Sequence, residues 1–171
     1  MNISNKTIAY SIYNKRYGQV IQIPDTTEVA LPSIEYATDS ISGGGILGEI
    51  DLPTPGQINS METEISIRAT PEEIAGLLDT NDLEIRWVSD SIDTSNAATR
   101  TVANKAFLKV RLKKFEEGKI ANGESQDATI AYEVLAYRRI RNGAEILNID
   151  KLNRVFKING IDQISDISNN L

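Results

Sequence analysis

The chain has 171 residues, 40% hydrophobic and 25% charged, the composition of a soluble globular protein with a core of its own, read as a single domain spanning 1–171. It contains no cysteine and no histidine, which removes disulfides, thiolate nucleophiles, imidazole bases and the commonest metal ligands, so no enzyme, cofactor or metal centre is expected. A net charge of −6 disfavours gripping nucleic acid through its phosphates, no apolar run approaches the ~20 residues of a membrane helix, and Met1 to Lys6 lacks the order of a signal peptide, so synthesis in the cytoplasm without membrane anchoring is expected.

From Ile8 to Ile23, Ile, Tyr and Val predict two short strands with a turn near Tyr17-Gly18, ended by Pro24. Thr26 to Tyr36 reads as extended, with Pro32 limiting it to an edge or a strand start. About Asp39 to Gly56, three consecutive glycines and two prolines predict a long Gly-rich loop or flexible hairpin. Met61 to Ala69 alternates Met61, Thr63, Ile65, Ile67 and Ala69 against Glu62, Glu64, Ser66 and Arg68, the pattern of a sheet wet on one side. Thr70, Pro71 and Glu73 spell a capping box, and Ile74, Leu77 and Leu78 form an apolar stripe. One short helix follows, about Pro71 to Asp79.

Leu83 to Val88 predicts a strand with Leu83, Ile85 and Trp87 inward, and Ser89 to Asn104 a polar surface loop. From Ala106 to Phe115, Leu108, Val110 and Leu112 face in. Lys109, Arg111 and Lys113 face out beside Phe107 and Phe115. After a polar turn region, Thr129 to Arg141 alternates for longer than a usual strand and is apolar on both faces, so it wants cover on both, and the second cover is expected from another subunit. Asn142-Gly143 is a tight hairpin turn into Glu145 to Asp150, and a second Asn-Gly sits at Asn159-Gly160. The fold class that results is mainly β, a barrel or sandwich with the one short helix on its flank.

Several groups of residues invite a function. Gly43 to Gly48 formally spells G-x-G-x-x-G, but Pro53 and Pro55 follow and no helical period opens on it, so a surface loop is expected rather than a dinucleotide site. Lys105, Lys109, Arg111, Lys113 and Lys114 form a basic face without interleaved aromatics beyond Phe107 and Phe115. It reads as a solvated face or as a patch meeting the acids of a neighbour. Arg138, Arg139 and Arg141 solubilise a hairpin tip or pair with acids such as Asp150. Trp87 and the tyrosines could stack on a carbohydrate or peptide in a β-sandwich binding module, though the parity of Trp87 favours the core.

The order of the segments is itself informative. Leu31-Pro32, the Gly-rich stretch from Ser42 to Leu52, the strand from Met61, the long strand from Thr129, Asn142-Gly143 with Glu145-Ile146-Leu147-Asn148-Ile149-Asp150, then Lys157-Ile158-Asn159-Gly160-Ile161-Asp162 and a short polar tail follow one another. This order resembles the major tail tube protein family of contractile-tailed phages and R-type bacteriocins. The resemblance implies a structural subunit: six copies form a ring, and rings stack into a hollow tube inside a sheath. The tube serves as DNA conduit or as envelope-penetrating punch, in a virion tail or a bacteriocin particle. Implied partners are the chain itself, the tail sheath protein, the baseplate or tube initiator, the tape-measure protein, and DNA passing through the lumen without specific binding. The tube subunit of a type VI secretion or other contractile injection system is the neighbouring alternative.

By the same resemblance, Ser42, Gly43, Gly44, Gly45, Ile46, Leu47 and Gly48 form a loop reaching the adjacent ring. Glu35, Asp39, Glu49, Asp51 and Glu133 are candidates for a lumen wall that repels phosphate, and Lys109, Arg111, Lys113, Arg138 and Arg139 for contacts with a neighbouring subunit or the sheath.

Overall fold

A computed structural model describes residues 1–16 and 18–171; Tyr17, at the first expected turn, lies outside the described residues. In chain order the elements are β1 (Asn2–Arg16), β2 (Gln19–Gln22), β3 (Thr26–Ala30), β4 (Tyr36–Ser42), β5 (Glu49–Ile58), β6 (Met61–Ile67), α1 (Ile74–Leu78), β7 (Asp82–Asp93), β8 (Thr99–Glu116), β9 (Ala128–Arg141), β10 (Ala144–Asp150), β11 (Val155–Ile158), β12 (Ile161–Asp162) and α2 (Ser165–Ser168). The protein is mainly β, with every strand pair antiparallel. No helix among the described residues is long and apolar enough to cross a membrane.

One sheet runs β12-β11-β10-β9-β8-β7-β1-β2, and β6 with β3 branches from the first half of β9. The branch arises because β9 changes partners along its length. Residues 128–134 pair with β6, while residues 136–141 pair with β10. β8 stays beside β9 throughout, broken by bulges at Lys109/Val110 and Leu112/Lys114. Bulges bend a strand and increase its twist. The two halves thereby fold over one core of Ile12, Met61, Ile65, Leu83, Leu108, Ile130 and Tyr132, all fully buried. α1 plugs the open side. Leu77 is fully buried, its carbonyl accepts the Tyr132 hydroxyl at 2.6 Å, and Asn14 Nδ2 donates to the Gly76 carbonyl at 3.0 Å.

The alternation of β6 holds as expected, with Met61, Thr63, Ile65 and Ile67 buried. The β9–β10 hairpin turns on Asn142 (φ 47) and Gly143 (φ 78), both left-handed as a type I′ turn demands. Several expectations need correction. The first strand is not short, since β1 runs from Asn2 to Arg16 along β7, and Ala69 is exposed beyond the end of β6 instead of sharing its buried face. Thr70 caps nothing: residues 71–73 form a turn closed by Ile74 N–H to the Pro71 carbonyl at 3.2 Å, the helix begins only at Ile74, and Thr70 Oγ1 is buried without a partner. Ser89 to Asn104 is not a loop, because β7 runs on to Asp93 and pairs with β8 from Thr99, leaving only residues 94–98 as a turn. Leu112 points to solvent at the second β8 bulge. The polar tail carries a helix, α2, where none was expected.

Candidate assembly surfaces

The Gly-rich segment is a hairpin. Among the described residues β4 and β5 pair only with each other, in the register Asp39↔Leu52, Ile41↔Ile50 and Ser42↔Glu49, with residues 43–48 as the tip. Alternation puts Ile41, Ile50 and Leu52 on one face and Ser40, Ser42, Glu49 and Asp51 on the other. The three apolar side chains are exposed, and two strands alone are marginal in water. The root of the hairpin is firmly held. Asn59 N–H donates to the Glu35 carbonyl at 2.8 Å, Lys151 Nζ donates to the Asn59 carbonyl at 2.7 Å, and the Tyr36 ring stacks on Phe156 at 5.9 Å. At Gly56 the tail comes close, so that a Cβ would lie 3.1 Å from Ile164 Cγ2.

The two outward faces of the body differ in charge. The β3–β6–β9 face carries Glu28, Glu62, Glu64 and Glu133, with Glu62 directly opposite Glu133. Two like charges across a ladder destabilise it, and Lys113 relieves the pair, its Nζ 2.8 Å from Glu62 and 3.7 Å from Glu133. The Glu62 hydrogen bond and charge raise the Lys113 pKa accordingly. Ser60 Oγ also donates to Glu133, at 2.7 Å.

On the other face, Tyr13, Glu84, Phe107, Arg138 and Asn148 form one row across five strands. Glu84 is 1% exposed there, between Lys15 Nζ at 2.8 Å and Arg86 Nε at 2.6 Å. Burial pushes its carboxyl up, but the Arg86 and Lys15 contacts outweigh burial and hold it below the usual range. The Phe107 ring receives Lys15 at 4.7 Å and Arg138 at 5.7 Å, and Arg138 pairs with Glu145 at 2.5 Å.

The body is antiparallel throughout, and the β4–β5 hairpin is held to it at its root. A family model described as phage tail tube protein FII matches residues 13–171. The chain belongs to that family. Tail tube proteins of this family are structural components of phage tails. The chain is also similar to the tail tube protein of Escherichia phage P2, with 22% identity over 147 residues covering 84% of each chain.

In this tail tube protein the residues singled out from sequence separate into distinct places. Ser42 to Gly48 form the end of β4 and the tip, where Gly43 to Gly48 join two strands and open no helix. Glu35 lies at the hairpin root, Asp39 on the face of Leu52, and Glu49 and Asp51 on the opposite face. Glu133 stands apart in β9 and is already met by Lys113. Among the basic residues, Arg111 is opposite Glu133 and Lys109 opposite Asp82. Arg139 donates to Asn104 Oδ1 at 2.7 Å and lies 4.2 Å over Trp87, which is half-buried at the core margin. Arg138 pairs across the hairpin as expected, but with Glu145. Asp150 is held by Asn153 Nδ2 and by the backbone N–H groups of Leu152 and Asn153.

Sequence reasoning missed one signal that was in plain view. Every charged residue from Asp25 to Glu64 is acidic (Asp25, Glu28, Glu35, Asp39, Glu49, Asp51, Glu62 and Glu64), and the run lies between Arg16 and Arg68. The charge of the tail tube protein is thus segregated along the chain, β3 to β6 against the rest.

Proposed function

We propose that the chain is the repeating subunit of the inner tube of a contractile tail, assembled as hexameric rings that stack into a hollow conduit for DNA, or into a punch in a phage-tail-like bacteriocin. The observation that carries this reading is the β4–β5 hairpin, an amphipathic arm whose apolar face, Ile41, Ile50 and Leu52, is exposed and whose strands pair with no other strand among the described residues. A subunit that spends its life alone gains nothing from such an arm, whereas one that stacks has a neighbour to cover it. The outer edge of β3 is also unpaired among the described residues, and closing a ring edge to edge is one way to remove it.

The lumen reading narrows to the β3–β6–β9 face. Glu133 belongs to it together with Glu28, Glu62 and Glu64; Lys113 partly neutralises Glu62 and Glu133, and Glu28 and Glu64, which form no salt bridge among the described residues, are the charges left to repel passing phosphate. Glu35, Asp39, Glu49 and Asp51 travel with the hairpin and take part in stacking. The basic row around Arg138, with Lys15 and Arg86, faces the sheath or a neighbouring subunit, and the tape-measure and baseplate proteins start and measure the assembly. Negative-stain electron microscopy of concentrated protein, and of particles from cells carrying its native operon, tests the reading. Hollow tubes or six-fold rings are expected; a chain absent from every tubular particle would refute it.

A further inference from the structure

The hairpin tip presents unusual chemistry. Leu47 is fully exposed, and Glu49 and Asp51 follow it in the chain on one face of β5. At the root of the same hairpin lies a cavity of about 470 Å³. Ile149, Phe156, Ile164 and Ile167 line it with apolar surface, and Lys151 and Arg154 supply the positive charge at its margin. Asp150 also borders it, but its carboxylate is engaged by Asn153 and two backbone N–H groups, as described above. Arg154 has no ion-pair partner among the described residues.

We infer that this cavity is the receptor for the hairpin tip of a second copy of the chain, with Leu47 entering between Phe156 and the pair Ile164 and Ile167 while Glu49 and Asp51 meet Lys151 and Arg154. The inference rests on the tube reading above and names the site at which stacking occurs. Three observations support it. The tip carries Leu47 with Glu49 and Asp51 after it, and the cavity is apolar with a basic margin, so apolar character and charge are complementary. The tip cannot fill the cavity of its own chain, because the seven residues of β4 hold it ~24 Å from the root at the usual rise of about 3.4 Å per residue. The donor and the receptor are different surfaces of one molecule, so the contact is heterologous and propagates from copy to copy, as a stacked tube requires.

The absence of cysteine makes the test clean. The double variant Leu47→Cys with Ser168→Cys places one thiol on the tip and one on the cavity wall. Oxidised after assembly, it is expected to give a ladder of disulfide-linked chains well beyond the dimer, whereas either single variant gives at most a dimer. A control pairs Leu47→Cys with Thr27→Cys, in the separate groove between β1, β3 and β7 that holds Trp87. Tubes that form without the Ser168 ladder, or that ladder through Thr27 instead, overturn the inference and leave the tube reading intact. If wild-type protein forms no tubes, both fall.

Charge reversal gives an independent readout that does not depend on thiols. Asp51→Lys or Arg154→Asp alone is expected to raise the critical concentration for assembly by roughly tenfold, and the two together to restore it. Failure of the pair to restore assembly, with both single variants folded, overturns the assignment.

Discussion

Replacing Glu84 by Gln keeps the size of the side chain and removes its charge. In the wild type that charge is 1% exposed and is met by Lys15 at 2.8 Å and Arg86 at 2.6 Å. Removing one member of a fully buried ion pair costs about 3–5 kcal/mol. Here the two cations are 31% and 45% exposed, so water screens them once the carboxylate is gone, and an exposed pair is worth at most about 1 kcal/mol. The case lies between these limits, and a loss of about 2 kcal/mol is expected, which for a chain of this length lowers Tm by roughly 4–8 °C.

The pH dependence has a definite sign. The carboxyl is held below the ordinary glutamate value of about 4.5, so its stabilisation is complete above that value and is lost as pH falls through the lower folded one. Thermal melts by circular dichroism of the unpolymerised subunit, from pH 7 down to pH 3, should show a gap between wild type and Glu84→Gln that closes only below pH 4.5. Equal melting at pH 7, or a gap constant down to pH 3, would refute the reasoning.

Tyr132→Phe deletes the buried hydroxyl that reaches the Leu77 carbonyl and leaves that acceptor unmet; urea melts should show a loss of about 1–2 kcal/mol with an unchanged m-value. Ile65→Ala opens a cavity at a fully buried position between β3 and β9 and should cost about 2–5 kcal/mol by the same assay. Gly56→Ala forces a Cβ to within 3.1 Å of Ile164 at a φ of +72; it should destabilise by about 1–3 kcal/mol, with amide exchange rising first in residues 163–168 rather than across the core.

What could be read from the sequence was what is local. Asn142-Gly143 announces its hairpin because only left-handed backbone closes a two-residue turn with the right twist, and β6 announces itself by strict alternation. The outer parts of β7 and β8 were hidden because Ser89, Asp90, Ser91, Thr99 and Thr101 carry no apolar period, and their order comes from pairing with one another and with β1, far away in sequence. The outward turn of Leu112 depends on a bulge that no pattern of residue types records. At the candidate site, the tip and its acids were identifiable from composition. The cavity at the hairpin root was not, since Phe156, Ile149 and Ile164 are separately ordinary core residues and become a receptor only when α2 folds back beside Gly56.

The continuity of β8 and β9 has a mechanical consequence. The two strands remain partners from Asn104–Arg141 to Glu116–Thr129, across both bulges, and no linker interrupts them. A pull along these strands therefore meets many interstrand bonds in parallel and must slide them together, rather than opening them one at a time like a zipper. Extension along these strands is resisted by the whole ladder at once, so the two ends of the body are coupled mechanically through β8 and β9.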